Sequence, residues 1–333
     1  MKFLIVGLGS MGKRRIRNLQ KLGFDNLIGF DIKKERLDEV SKKFKINTMS
    51  NIENAIKLKP DIMIISTPPD LHLKYAKIAV NNSIHFFTEL NLISKDVEKI
   101  IKLTSENHIQ AKPSCTMLFN PLFKEIKKIV QNGSLGKIYF IRHHTGQYLP
   151  DWHPWENYRD FFVSKKETGG AKEMVAFELI WLTEIFSDIS TLYSEQDKIS
   201  DLDTDIDDIY QIMIKFKNNV RCNLIVDVVS KPAFKECIII GEKGSMKCDF
   251  VKKSLSVYKN GKWSRKKMDI GKITTGYSSG IPSERIYEEE IKSFIQSINH
   301  KKKYQFDFIS ELKILKYIDT MKLSSIRGKK IKN

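Results

Sequence analysis

The chain reads as two domains in series: an α/β domain built on a parallel sheet over residues 1–118, then an α+β domain with an open, mostly antiparallel sheet over 119–333. Three observations predict this. Short β-branched runs alternate with amphipathic helical stretches up to about residue 118, the pattern of βαβ units. A Gly-x-Gly-x-x-Gly follows the first apolar run at once. Beyond Asn120-Pro121 the pattern changes to long alternating segments separated by turn residues. A length of 333 residues also suits two domains better than one hydrophobic core.

In the first domain the apolar runs predict strands at 2–6, 27–30, 61–66, 84–88 and 111–115, with a weaker one near 46–48. Helical periodicity fills the intervals at about 11–22, 33–44, 70–81 and 94–107. The second domain opens with a helix to about Gln131, a turn at Gly133–Gly136 and a strand near 137–147. An aromatic-rich segment without a clean period runs from Tyr148 to about Thr168, and a helix follows at 170–187. Alternation predicts strands at 208–217, 220–230, 235–241 and 245–250, with turns at Lys217-Asn218-Asn219 and Gly241–Gly244. Two helices, about 283–299 and 307–324, and a basic tail close the chain.

Hydrophobic residues at 41% and charged residues at 29% are the balance of a globular protein rather than a disordered one. The apolar start, Met1 to Gly7, is too short for a signal peptide, and no run approaches the roughly 20 residues that cross a bilayer. The expectation is a cytoplasmic protein without a membrane partner. Cys115, Cys222, Cys237 and Cys248 show neither paired metal-site spacing nor the density of a disulfide scaffold, so free buried thiols and no metal site are expected. The net charge of +17 comes from lysines scattered through most helices, the pattern of a solvated surface rather than of a nucleic-acid partner. Such a surface still favours small anionic ligands, nucleotide sugars among them.

Gly7-Leu8-Gly9-Ser10-Met11-Gly12 lies between a strand and a helix, the context in which this motif carries weight. The first glycine makes the tight turn, the second admits a pyrophosphate, and the third lets helix and strand pack. Amides and dipole at the helix start, around Ser10 and Met11, then hold the anion. Asp31 follows about 20 residues beyond the motif, where a carboxylate accepts from the ribose hydroxyls and repels a 2′-phosphate. NAD is therefore favoured over NADP, with Lys33 and Lys34 able to soften the preference. A plain structural role for Asp31 is to cap the helix at 33–44. Ser66, Thr67 and Pro68 follow the strand at 61–66, at the carboxyl edge where ligands bind this fold. The first domain is thus a Rossmann domain.

These residues, together with His72, Asn120-Pro121, Gly133–Ile138, Gly169-Gly170 and Gly241–Ser245, resemble the Gfo/Idh/MocA family over nearly the whole chain. The resemblance implies an open-faced sheet domain that carries the substrate site, self-association into a dimer or tetramer, and NAD(P)-dependent redox chemistry on a sugar, inositol or nucleotide sugar. A role in carbohydrate or surface-polysaccharide metabolism follows. The family's Glu-Lys-Pro is here Glu89-Leu90-Asn91, so its lysine is missing. Aligned on Gly169-Gly170, its aspartate falls at Met174 and its catalytic histidine at Phe177 or Glu178. His72, Glu89 and Asn91 remain candidates to line the cofactor.

Hydride transfer to or from an alcohol needs a group that moves the hydroxyl proton. His153, with Asp151 two residues before it, is the first candidate because imidazole titrates near neutrality. Glu178, if it faces a pocket, is the second, and Lys172 could replace the missing cation, although the two are six apart and share a helix face only loosely. Tyr148, Asp151, Trp152, Trp155, Tyr158 and Arg159 are candidates to contact the substrate, because an irregular loop rich in aromatic and polar groups is a common binding surface. The same rings could equally pack the loop onto its domain. His143 and His144 alternate along a strand, so at most one faces a given side. Three readings stay open: an NAD(H)-dependent oxidoreductase with a moved acid/base group, a redox-neutral lyase or epimerase using bound NAD, and a dinucleotide-binding sensor or scaffold.

Overall fold

The computed structural model describes residues 1–154, 156–160, 162–269, 271 and 283–333. The elements in order are β1 Phe3–Val6, α1 Ser10–Lys21, β2 Leu27–Phe30, α2 Lys34–Phe44, β3 Asn47–Met49, α3 Ile52–Lys57, β4 Ile62–Ile65, α4 His72–Asn81, β5 His85–Thr88, α5 Ser94–Glu106 and β6 Ala111–Pro113. They continue with α6 Pro121–Gln131, β7 Ile138–Gly146, α7 Ala171–Phe186, β8 Ile189–Asp197, β9 Ile209–Phe216, β10 Arg221–Asp227, β11 Phe234–Gly241, β12 Gly244–Asp249, β13 Ser254–Lys259 and β14 Lys262–Lys267. Last come α8 Glu284–Ile298, α9 Phe308–Arg327 and β15 Ile331–Lys332.

The chain forms two compact units that do not divide it at one point: Met1–Thr116 with Ile286–Lys313, and Met117–Arg285 with Ile314–Asn333. The first thus recruits a stretch of about thirty residues that the sequence pattern assigns to the second half. Its six-stranded parallel sheet has the order β3-β2-β1-β4-β5-β6, the Rossmann arrangement in which the chain reverses direction beside β1. All residues of β1, β2 and β4 are buried, as expected for parallel strands covered on both faces.

The second unit has a nine-stranded sheet in the order β14-β13-β12-β11-β7-β10-β9-β8-β15. It is mixed: β7 and β10 run parallel, and the other neighbours run antiparallel. In β9, Tyr210, Ile212, Ile214 and Phe216 are buried, whereas Gln211 and Met213 between them are exposed. That two-residue period marks a sheet with one covered face, and α7 packs on it. No helix among the described residues is long and apolar enough to cross a membrane.

Elements that the sequence reading omits have physical reasons for their weak signal. Helix α3 spans six residues and starts where Asn51 accepts from the Asn54 N–H at 3.0 Å. Strand β8 shifts register between Ile189 and Thr191, which breaks its alternation. Every residue of β14 is exposed, so it has no apolar face to read. The turn before β14 does carry a signal: Asn260 and Gly261 both take positive φ, 51° and 76°, as a two-residue hairpin loop requires. All four cysteines are free and buried.

Candidate functional site

Within the first unit the glycine loop divides by physical cause. A Cβ on Gly12 would sit 1.8 Å from the Gly7 carbonyl oxygen, and one on Gly7, at φ +89°, would sit 2.7 Å from that of Ser66. Packing therefore demands both glycines. Gly9 is different: its backbone is extended at φ −71°, and a Cβ would meet nothing nearer than Arg36 Nη1 at 3.7 Å. Neither strain nor a protein neighbour demands the glycine, and the space above it at the start of α1 is open. Ser10 and Met11 begin α1 directly behind it.

Asp31 is 4% exposed. It accepts from the Leu8 N–H at 2.7 Å and from the Lys33 N–H at 2.9 Å, and Arg36 Nη1 lies 3.6 Å away. Two of the carboxylate's four lone-pair directions are thus used inside the protein. The residue that caps α2 is Lys33, with no side-chain cap bond, so Asp31 braces the turn rather than serving as its cap. Thr67 Oγ1, at the end of β4, is buried without a partner among the described residues. An open cradle, an anchored carboxylate and an orphaned hydroxyl at the carboxyl edge of the sheet fit a dinucleotide.

Behind this edge lies a charged cluster. Arg15 is fully buried on α1, with Nε 2.7 Å and Nη2 2.8 Å from the two Glu89 oxygens, and Nη2 also 2.8 Å from Glu290 Oε2. Burial works against the guanidinium charge, but Glu89 and Glu290 more than offset it and hold the group above its usual range. Burial also raises the Glu290 carboxyl despite Arg15. Ser66 Oγ donates to Glu89 at 3.3 Å. Leu90, where the resemblance places a lysine, is 5% exposed and adds only apolar packing. His72 and Asn91 meet at 2.9 Å, and Pro68 leads into a short 3-10 turn before α4.

In the second unit, α7 carries Lys172, Met174, Phe177 and Glu178. Glu178 faces inward, 2% exposed, and not a pocket. Lys235 Nζ lies 2.5 Å from its Oε1, and His143 Nε2 and Trp181 Nε1 each lie 2.7 Å from Oε2. Burial pushes this carboxyl up, but Lys235 and His143 more than offset that and hold it at about 2. Phe123 and Phe250 each place a ring centroid 5.1 Å from Lys235 Nζ. Lys172 donates instead to the Glu167 carbonyl at 2.9 Å, and burial lowers its ammonium below the usual range. The two residues are not brought together.

His153 is 8% exposed, and its Nδ1 lies 2.5 Å from Glu156 Oε1. Glu156 thus gives His153 a carboxylate partner, and Asp151 lies exposed in a 3-10 turn two residues before it. Tyr158 Oη accepts from the Asp203 N–H at 3.3 Å, and Arg159 Nε lies 2.8 Å from the Asp203 carboxylate. Lys231 Nζ sits 3.5 Å from the Tyr148 ring centroid. Trp152 keeps a buried indole N–H without a partner among the described residues. Trp155 lies outside the described residues. On the sheet face opposite His143, His144 Nε2 lies 2.8 Å from Asp227.

The sequence reading did not single out Arg15, Glu290, Lys235 or Asp227. A signal existed for Lys235: it shares strand parity with Cys237 and Ile239, which face the core. Arg15 sits four residues before buried Leu19 on α1. No group of three or more metal-ligating side chains occurs among the described residues.

Residues 1–119 match the family model described as an oxidoreductase family with an NAD-binding Rossmann fold, and residues 123–247 match that of the GFO/IDH/MocA C-terminal domain. A similar curated protein is the myo-inositol 2-dehydrogenase of Thermotoga maritima, 22% identical over 319 residues that cover 90% of this chain and 88% of that one. Among solved structures, levoglucosan dehydrogenase in complex with NADH has a TM-score of 0.84 at 15% identity, covering 100% of this chain and 98% of that one. The WlbA dehydrogenase of Bordetella pertussis, in complex with NADH and UDP-GlcNAcA, has a TM-score of 0.80 at 16% identity, with coverage of 100% and 98%. These structural likenesses show a shared fold.

Proposed function

Because the chain belongs to the GFO/IDH/MocA family of NAD-binding oxidoreductases, we propose that it moves a hydride between NAD(H), in preference to NADP(H), and a hydroxyl-bearing carbon of a sugar or nucleotide sugar. The observation that carries the reading is the open space at Gly9, where the start of α1 leaves room for a ligand to approach the backbone closely. When bound, the nicotinamide supplies the carbon that takes or gives the hydride. The chain's residues do the rest. Amides at the start of α1 hold the pyrophosphate, Asp31 accepts from the ribose hydroxyls, and Thr67 offers its hydroxyl. His153, oriented by Glu156, takes or returns the alcohol proton, and Tyr148, Trp152 and Tyr158 give the sugar ring its contacts. A net charge of +17 raises the local concentration of anionic substrates. The neighbouring levoglucosan dehydrogenase and the UDP-GlcNAcA-bound WlbA dehydrogenase support the substrate class, and with it a role in carbohydrate or surface-polysaccharide metabolism.

Two predictions test this reading. Asp31→Ala should weaken NADH binding in calorimetry by roughly 10- to 100-fold, the worth of a hydrogen bond to a charged group, while NADPH binding stays constant or tightens. Equal losses for both cofactors would remove Asp31 as the selectivity residue. His153→Asn should lower turnover by about 100-fold or more, with NADH affinity within about twofold of the parent. Unchanged turnover would end the role given to His153.

The inward Glu178 and the leucine at 90 favour a second reading, in which bound NAD is recycled by a lyase or epimerase or is held without turnover. Under that reading the purified protein retains NAD and forms no net NADH with any polyol or sugar nucleotide. Net NADH formation decides for the first.

A further inference from the structure

We propose that His72, Asn91 and Glu311 form a one-proton lock on two loops at the carboxyl edge of the parallel sheet, those that follow β4 and β5, with Glu311 as the positioning residue. The inference rests on the cofactor reading above. The chain of contacts is continuous within the first unit. His72 Nε2 lies 2.9 Å from the Thr67 carbonyl oxygen, and His72 Nδ1 lies 2.9 Å from Asn91 Oδ1. Asn91 Nδ2 donates to Glu311 Oε2 at 2.8 Å and to Thr88 Oγ1 at 3.0 Å, and the Asn91 backbone N–H donates to Glu311 Oε1 at 3.0 Å. His72 and Glu311 are each 0% exposed, and Asn91 is 2% exposed. A proline at 91 could make none of these bonds.

Counting donors and acceptors gives the proton number. In the arrangement above, both ring nitrogens of His72 face oxygen acceptors, and both Glu311 oxygens face donors. An imidazolium and a carboxylate satisfy every atom. If the Asn91 amide turns over, a neutral Glu311 donates to Oδ1, and Nδ2 donates to a neutral His72. The heavy atoms occupy the same places and the proton count is unchanged. Burial favours this second form: it pushes the Glu311 carboxyl up to about 8 and lowers the His72 imidazole below its usual range.

Either form is complete with one shared proton. Remove it, and the bare carboxylate and bare imidazole cannot both be served by any setting of the amide. One hydrogen bond is lost and a buried charge is left uncompensated, which loosens the Thr67 loop and the Glu89–Asn91 loop together. The charged groups around the chain are few. Glu89 and Asp70 act on His72 and help to keep a proton there, and the buried Cys115 thiol lies within electrostatic reach of Glu311.

The test is calorimetric NADH binding to the full chain between pH 6.5 and 9.5. The parent should bind with constant affinity up to about pH 8 and then weaken by about tenfold, because each pH unit past a linked ionisation changes affinity by up to about tenfold. Glu311→Gln imitates the protonated acid, so it should bind as the parent does at pH 7 and show no fall at high pH. Asp31→Ala should weaken binding throughout and keep the parent's pH slope. A parent and a Glu311→Gln variant that fall in parallel, or a parent with no fall, overturn the lock. Absence of NADH binding at every pH is failure of the cofactor reading instead. The lock is then judged on thermal midpoints. A raised carboxyl stabilises fully below its unfolded value and loses that contribution as pH rises through its folded one, here from about 4.5 to about 8. The parent midpoint should therefore decline across that window relative to Glu311→Gln, and superimposable curves refute the proposal.

Discussion

Replacing Lys235 with methionine should destabilise the second unit by about 3–5 kcal/mol, because it strands a buried carboxylate whose strongest neighbouring cation is gone. Glu178 would keep His143 and the Trp181 N–H, both at 2.7 Å, but lose the ammonium at 2.5 Å. Methionine fills nearly the same volume among Phe123, Phe250 and Trp181, so the loss comes from charge rather than from a cavity. Urea unfolding followed by tryptophan fluorescence reads it, with the two units treated as separate transitions. The pH dependence adds a second check. A carboxyl depressed to about 2 contributes stability above its unfolded value of about 4.5 and loses it as pH falls between the two. In Lys235→Met the folded carboxyl rises toward its unfolded value, so that acid loss should shrink or disappear. The double replacement Lys235→Met with Glu178→Leu should recover much of the stability, since an apolar substitute for a buried ion pair is often neutral. A single variant as stable as the parent would mean that water reaches Glu178.

The second large effect separates two glycines three residues apart. Gly9→Val should leave thermal stability within about 1 kcal/mol of the parent, since surface-type changes without a clash rarely exceed that, yet reduce NADH affinity by roughly 100-fold or more, about 2.7 kcal/mol. Its Cβ has room, with the nearest side-chain atom at 3.7 Å, but its methyls fill the approach to the start of α1. Gly12→Ala should lose both properties. Its methyl would stand 1.8 Å from a backbone oxygen, which cannot rotate away, so β1 and α1 must separate. Thermal melts paired with calorimetry distinguish the two. Undiminished NADH binding by Gly9→Val would place the pyrophosphate elsewhere.

These cases show what kind of information the linear chain holds. The succession of strands and helices in the first unit follows from alternating apolar runs and helical periods, because residues close in sequence decide whether a segment is strand or helix. The glycine loop and Asp31 are legible for the same reason: a turn, the helix after it and the next strand end lie within about 25 residues, and their spacing is set by local geometry. The aromatic segment after β7 is legible as irregular, and the structure resolves it into short 3-10 turns at Leu149–Asp151, Tyr158–Asp160 and Phe162–Ser164.

Pairing between distant residues is another matter. His153 has Glu156, three residues on, as a carboxylate partner, a pairing that the turns of the irregular segment set and its sequence does not announce. Glu178 lies 57 residues from Lys235 and 35 from His143, and Asn91 lies 220 from Glu311. The sequence by itself determined the two sheets, the glycine loop between β1 and α1 and the leucine at position 90. Only the tertiary structure decided which buried charges meet, and so which of them are spent on the core. The physical reason is that a buried ion is tolerated only where folding delivers its partner, and strand order and helix packing, not chain spacing, make that delivery.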